Sequence, residues 1–216
     1  TWNYENSLGF PNSSHPEIMS RGLKPFGFEV IEEMNRLGII IDVSHLSDGG
    51  FWDVLEHSKK PVVASHSCVR ELCNHSRNLS REMIRAIGNQ GGVIGVNFYG
   101  GFLHTDGVST AQRIAQHIRT IADISGIETA AIGSDLDGGI SANPLEIHTI
   151  SRIDLLYDQL QKAHFSADQI DKIFFEKSLD SVFHSVDIFY VLIVAKSEKD
   201  PASVAFIAQV GLPTAR

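Results

Sequence analysis

Four stretches of the chain stay apolar for longer than a half-exposed strand would: LGIIIDVSH at 37–45, PVVASHS at 61–67, GGVIGVNFY at 91–99 and TAAIGSDLDGG at 129–139. Near-continuous Val, Ile and Ala predicts strands buried on both faces, as in a parallel sheet covered by helices. Between these runs the apolar positions recur at helical spacing. Pro25 to Leu37 aligns Phe26, Val30, Met34 and Leu37 and stops at Gly38. Ser80 opens a segment carrying Met83, Ile84 and Ile87 that ends at Gly91 and Gly92, and Ser109 to Ile124 lines up Ile114, Ile118 and Ile121. Ser166 with Gln169 makes a capping box ahead of Ile170, Ile173 and Phe174. Strand and helix therefore alternate, which predicts right-handed crossovers onto a parallel sheet, either doubly wound or closed as a barrel.

The polar residues discriminate between those two architectures. Each apolar run ends in chemistry-bearing groups at its carboxyl edge: Asp42 and His45, then His66, then Asn97 with Tyr99, then Asp135 and Asp137. Polar groups converging at one end of successive strands are what the active site of a TIM-type (β/α)₈ barrel requires. A dinucleotide-binding fold would carry GxGxxG after its first strand, and the sequence has none. His45 and His66 stand one βα unit apart, so a barrel puts them on neighbouring strands at one height, where two imidazoles could share a zinc ion. The alternative for either is a hydrogen-bonded structural histidine. The remaining histidines, His57, His117 and His164 among them, read as surface or boundary residues. Asp135 is placed to take a proton from water and return it to a leaving amine, whereas Asp137 equally suits the Asp-Gly turn that follows. Arg77, in CNHSRNLS, could grip a carboxylate with two parallel hydrogen bonds, although a lone loop arginine is more often simply solvated.

Composition narrows the partners. The 216 residues carry a net charge of -8 with no block of Lys and Arg, which argues against nucleic acid or an anionic membrane surface as the main partner. The longest apolar run, IFYVLIVA at 188–195, falls well short of the ~20 residues that span a bilayer. Cys68 and Cys73 form neither a disulfide framework nor a zinc-finger spacing, and two free thiols suit the cytoplasm.

Taken together, GLKPFGFEVIEEMNRLGIIIDVSHLSDGGFWDVLEHSKKPVVASHSCVRELCNHSRNLS, GGVIGVNFYGGFL and IGSDLDGG strongly resemble the renal (membrane) dipeptidase family of zinc metallopeptidases, peptidase family M19. The resemblance runs from Thr1 to about Phe183. It implies a (β/α)₈ barrel with a two-zinc site that hydrolyses dipeptides. By position it implies His45 and His66 as the histidine ligands of one zinc, Asp135 as the acid/base at the scissile amide, Arg77 as the clamp for the substrate's terminal carboxylate, and Tyr99 as a pocket wall.

The same resemblance implies departures. The family's His-x-Asp pair and bridging Glu belong upstream of TWNYEN, so the chain is expected to be an incomplete barrel, its C-terminal portion with the first strands missing, holding at most one zinc. His104 and Asp106 show the letters of the missing pair but fall in the wrong loop. Trp2 stands where some members have a substrate-contacting histidine, and Lys177 and Asp180 stand where an Asn and an Arg are usual. The expected division is a partial barrel over 1–185 and a tail of unassigned origin over 186–216, the latter contributing a fifth strand at most. Open sheet edges would favour self-association into homo-oligomers. Two other functions stay open: a non-catalytic fragment of the same family, and a barrel amidohydrolase acting on a lactone or cyclic amide, against which the Arg77 loop and NFYGGF favour dipeptides.

Overall fold

The computed structural model describes residues 4–136, 138 and 145–176. Trp2, Asp137, Lys177, Asp180 and the 186–216 tail lie outside the described residues. Eight α-helices and three strands are assigned among the described residues, besides short 3₁₀ and π turns. In chain order they are α1 (Pro16–Met19), α2 (Pro25–Leu37), α3 (Asp48–His57), β1 (Val63–Ala64), α4 (Arg81–Asn89), β2 (Val93–Val96), α5 (Gly100–Leu103), α6 (Ala111–Ser125), β3 (Ala130–Ile132), α7 (Asp154–Lys162) and α8 (Ala167–Asp171). The strands form one parallel sheet in the order β1-β2-β3, with Val63 opposite Val93 and Ile94 opposite Ala130. Each strand thus pairs with its successor in sequence, and a helical crossover joins each pair. The molecule is an α/β protein with a parallel sheet.

Side-chain hydroxyls start most of the longer helices. Ser47, Ser80 and Thr110 accept from the backbone N–H three residues on at α3, α4 and α6, and Ser166 and Gln169 complete the capping box of α8. Each such cap contributes about 1 kcal/mol by satisfying an otherwise orphaned donor. α2 instead begins with Pro25 and stops at Gly38, whose φ of 70° is the left-handed conformation that glycine adopts without penalty.

The apolar faces of α4 and α6 are buried as the spacing predicts, with Met83, Ile84, Ile87, Ile114, Ile118 and Ile121 all in the core. On α2 the buried face is a different one. Gly27 and Ile31 face inward while Phe26 and Leu37 are 50% and 45% exposed. Gly27 packs so closely on Leu8 that a Cβ would collide with the Leu8 carbonyl oxygen, so the helix turns its glycine, not its phenylalanine, toward the chain beneath it.

The first apolar run also departs from expectation. It pairs with β1 only through an isolated parallel bridge at Asp42, flanked by Val43 N–H to Val63 O and Val63 N–H to Ile41 O. The ladder stops because the Asp42 carboxylate takes the next donor of β1's continuation, Ser65 N–H, at 3.0 Å, and it also accepts its own strand's Ser44 N–H at 3.0 Å. A side chain has replaced the strand carbonyl as acceptor.

Alternation divides the sheet into two faces. Ala64, Ile94, Val96 and Ala130 join the large core beneath the helices, whereas Val93 and Ala131 pack with Ile40 and Val63 on the other side. On that second face the sheet curls tightly. Strands separated by one neighbour lie about 9.5 Å apart in a flat sheet, yet a Cβ on either Gly95 or Gly133 would strike the carbonyl oxygen of Ser65. The ends of β1 and β3 therefore approach each other across β2, and only residues without a side chain permit it.

Gly133→Ala is expected to lower stability by about 2–3 kcal/mol in urea unfolding, the usual cost of overpacking. Gly107→Ala, where φ is +74° but nothing lies within 4 Å, should cost only about 1 kcal/mol through backbone strain. Equal losses at the two positions would argue against the curl.

Candidate metal and substrate site

His45 and Asp135 sit just beyond their apolar runs, and both have left-handed backbones with φ of 71° and 64°. L-residues adopt this conformation at a cost, and such strain collects where a side chain must be aimed. At His45 it ends the extended run and turns the imidazole back over β1. Its Nε2 then lies 2.8 Å from Nε2 of His66, with ring centroids 4.8 Å apart. The two histidines predicted to converge do converge.

A hydrogen-bonded chain supports them from below. Ser65 Oγ lies 2.8 Å from His66 Nδ1 and 2.5 Å from Asp42 Oδ2. Ser44 Oγ accepts the His66 backbone N–H at 3.1 Å. Burial pushes His45 down to about 2, with Arg77 and His66 adding to the effect, and burial and then Arg77 likewise push His66 below the usual imidazole range. Both rings are therefore neutral at physiological pH, the state a metal ligand must have.

Arg77 is only 6% exposed, not a solvated loop residue. Its Nη2 donates to His66 O at 2.9 Å and its Nη1 to Ser67 Oγ at 3.4 Å, while Nε is buried without a partner. Arg36, Arg70, Arg81 and Arg113 each hold a carboxylate with two nitrogens. Arg77 makes no such pair. Burial lowers it to about 10, against the pull of Asp42 and Asp135.

Asp135 Oδ2 accepts from Asn97 Nδ2 at 3.0 Å, and Asn97 Oδ1 accepts the Tyr99 backbone N–H at 2.6 Å. Both run-end groups thus meet in one cluster. Tyr99 is half-buried and packs edge-on against Phe102, 4.8 Å away. His104 and Asp106 lie apart from it: Arg113 takes both oxygens of Asp106 at the surface, which agrees with their exclusion from the metal site.

The loop that carries Arg77 is stitched to the segment after β2 by buried polar contacts. Asn78 Nδ2 donates to Cys73 O and Phe102 O, both at 2.8 Å, and the free thiols Cys68 and Cys73 point at Asn97 O and Gly101 O. His117 completes the join and corrects the expectation that it is a surface or boundary residue: it is 1% exposed. Its Nδ1 accepts the Val69 N–H and its Nε2 lies 3.0 Å from Leu103 O. The signal was present, since position 117 falls three residues after Ile114 and four before Ile121, inside the apolar stripe of α6.

The donor set suits zinc in part. Two neutral imidazoles on neighbouring segments, one with its distal nitrogen held by a hydrogen bond, are the ligand and outer-shell arrangement that zinc favours. Two nitrogens bound tetrahedrally to one zinc lie about 3.3 Å apart, so the rings need separate by only a fraction of an ångström. Among the described residues no group of three or more His, Cys, Asp or Glu side chains gathers at one point.

Comparison with known proteins gives a family match. The model of the membrane dipeptidases (peptidase family M19) matches residues 1–187. An uncharacterized protein of the pqqA 5′ region of Klebsiella pneumoniae is 35% identical over 182 residues, covering 80% of this chain and 65% of the relative. An uncharacterized dipeptidase of Schizosaccharomyces pombe is 36% identical over 157 residues, covering 71% of this chain and 38% of the relative. In structure, the fold resembles a metallopeptidase from Rhodobacter sphaeroides crystallised with a phosphinate mimic of the dipeptide L-Ala-D-Ala. The TM-score is 0.74 at 27% identity, over 84% of this chain and 53% of the other. The chain thus spans 65% of the length of the Klebsiella protein, 53% of the Rhodobacter one and 38% of the Schizosaccharomyces one.

His117 gives a test of the stitched loop. Burial lowers it to about 4, opposed by the Leu103 carbonyl, so the unfolded chain gains a proton near pH 6.5 that the folded ring refuses until about pH 4. Its share of stability is present above pH 6.5 and is lost as pH falls toward 4, on the order of 3 kcal/mol at most. Thermal unfolding of His117→Leu should show a shallower decline over that window. It should also show a loss of about 2–3 kcal/mol at pH 8 from the two stranded backbone groups.

Proposed function

Because the chain belongs to the membrane dipeptidase family, we propose that its site serves zinc-dependent hydrolysis of dipeptides. The observation that carries this proposal is the convergence of His45 Nε2 and His66 Nε2 to 2.8 Å, with both imidazoles neutral and backed by the Ser65–Asp42 chain. His45 and His66 are the ligands of one zinc ion. When bound, such an ion supplies Lewis acidity, polarising a carbonyl and making water nucleophilic near neutral pH.

The remaining groups have separable tasks. Arg77, buried and lacking a carboxylate partner, binds the terminal carboxylate of the dipeptide; an anion there relieves a desolvated cation and supplies the acceptor that Nε lacks. Asp135, steadied by Asn97, carries the proton from attacking water to the departing amine. Tyr99 lines the pocket beside Phe102. A dipeptide fits this layout because one charged end is fixed by Arg77 while the amide lies toward the histidines, which sets the substrate's length by geometry.

The parallel strands and the Asp42 bridge form an arc of a (β/α)₈ barrel, whose curl brings Ser65, Gly95 and Gly133 together. Two histidines fill only half of a tetrahedral zinc site, which needs ligands besides His45 and His66. A second function, a non-catalytic family member that holds metal loosely, is favoured by one observation: no third ligand stands near the histidine pair among the described residues.

Zinc content by mass spectrometry and hydrolysis of a dipeptide panel separate the two. The catalytic function predicts zinc bound in fixed ratio with turnover, and loss of both in His66→Ala. Arg77→Met should keep zinc and raise KM by about 10²-fold, and Asp135→Asn should keep zinc and lower kcat by about 10²–10⁴-fold. Weak zinc binding without turnover would establish the non-catalytic alternative.

A further inference from the structure

We infer that Asp42 and Ser65 are positioning residues that preset one histidine of the pair and leave the other to switch. Asp42, through Ser65, fixes His66 as the Nδ1–H tautomer, so its Nε2 lone pair already faces the metal position, whereas His45 must shift its proton when metal binds. The inference rests on the proposed zinc site but can be tested without it.

The argument is a proton inventory. Asp42, as a carboxylate, only accepts: Oδ1 takes Ser44 N–H and Ser65 N–H, and Oδ2 takes the Ser65 hydroxyl at 2.5 Å. A serine hydroxyl has one proton, and the short bond to a carboxylate is the strongest use of it. With that proton committed, Ser65 Oγ can only accept at its 2.8 Å contact with His66 Nδ1, so Nδ1 must carry hydrogen. A second hydrogen, at Nε2, would make His66 an imidazolium packed against the Arg77 guanidinium, whose Nη2 already sits on the His66 carbonyl oxygen at 2.9 Å, so its Nε2 keeps a free lone pair. The 2.8 Å contact between the two Nε2 atoms then needs its proton from the other side, and His45 is the Nε2–H tautomer.

This inventory makes the two histidines chemically unequal before any metal arrives. His66 presents a lone pair at once. His45 presents N–H, and ligation through Nε2 requires that proton to leave for Nδ1 or for solvent. The carboxylate that aligns a metal-binding histidine usually touches the ring itself. Here a serine stands between them, which gives the alignment to two residues. Neither touches the metal position, and Ser65 is also the residue whose carbonyl abuts Gly95 and Gly133. The curl of the sheet therefore holds the relay in place.

The test is ¹⁵N–¹H correlation NMR of the histidine rings in the full ¹⁵N-labelled chain at pH 7.5, first metal-free and then titrated with zinc. The expected spectrum has His66 protonated at Nδ1 in both states and His45 protonated at Nε2 only without metal. Ser65→Ala should give His66 mixed tautomers and weaken zinc about 10–100-fold, and Ser65→Thr, which restores a hydroxyl, should recover both. Should Ser65→Ala fail to fold, the wild-type metal-free spectrum still decides. His66 protonated at Nε2 there overturns the inference, as does a Ser65→Ala spectrum identical to wild type. A preset His66 in a chain that takes up no zinc would instead count against the proposed function and leave the tautomer assignment standing.

Discussion

Much of this molecule hangs on one carboxylate. Asp42 stands where the first apolar run should continue its ladder with β1, and its oxygens accept three hydrogen bonds in a half-buried place, one of them from a donor the ladder would have used. The backbone is thereby released from the sheet one residue before Ser44, and the chain can turn sharply at His45. An unbroken ladder would have kept His45 extended and pointed its ring along the strand. Ending the sheet early with a side chain, at no net loss of hydrogen bonds, is what lets two imidazoles meet.

The second constraint is steric. Gly95 and Gly133 admit the Ser65 carbonyl where any side chain would block it, and this contact pulls three strand ends into a tight arc. Asn97 and Asp135 lie two residues beyond these glycines, on the same side of the sheet by alternation, and they meet there in a hydrogen bond. Hydrogen bonding at Asp42 and absence of bulk at the glycines act at the same end of the sheet, the end at which His45, His66, Asn97 and Asp135 stand.

The sequence made the scaffold legible wherever the deciding interaction is local. Caps at Ser80 and Ser166 could be read because donor and acceptor lie within three residues, and the faces of α4 and α6 because their apolar spacing admits one solution. The histidine pair was legible from the equivalence of two strand ends. The burial of Arg77 and His117 was not, because it depends on partners far along the chain: His66 O for one, Val69 and Leu103 for the other. Likewise Phe26 looked like a core residue, but the decisive contact on α2 is Gly27 against Leu8, which no helical periodicity can report. Ser65 drew no reading from the sequence; only the distances to Asp42 and His66 give it a role.

Arg77 also bears on when the free energy of recognition is spent. Moving a guanidinium out of water is among the larger penalties in binding an anion, and in this protein it is incurred while the chain folds, before any ligand is near. The cation stays dry because Asn78, Cys73 and His117 lock its loop to the next segment, and the hydrophobic core meets the expense once for the lifetime of the fold. Under the proposed role, an arriving carboxylate would have only its own hydration to shed. In the proposed role, selectivity for anions would be stored as a local deficit of stability, and a core strong enough to carry that deficit would become part of the recognition apparatus.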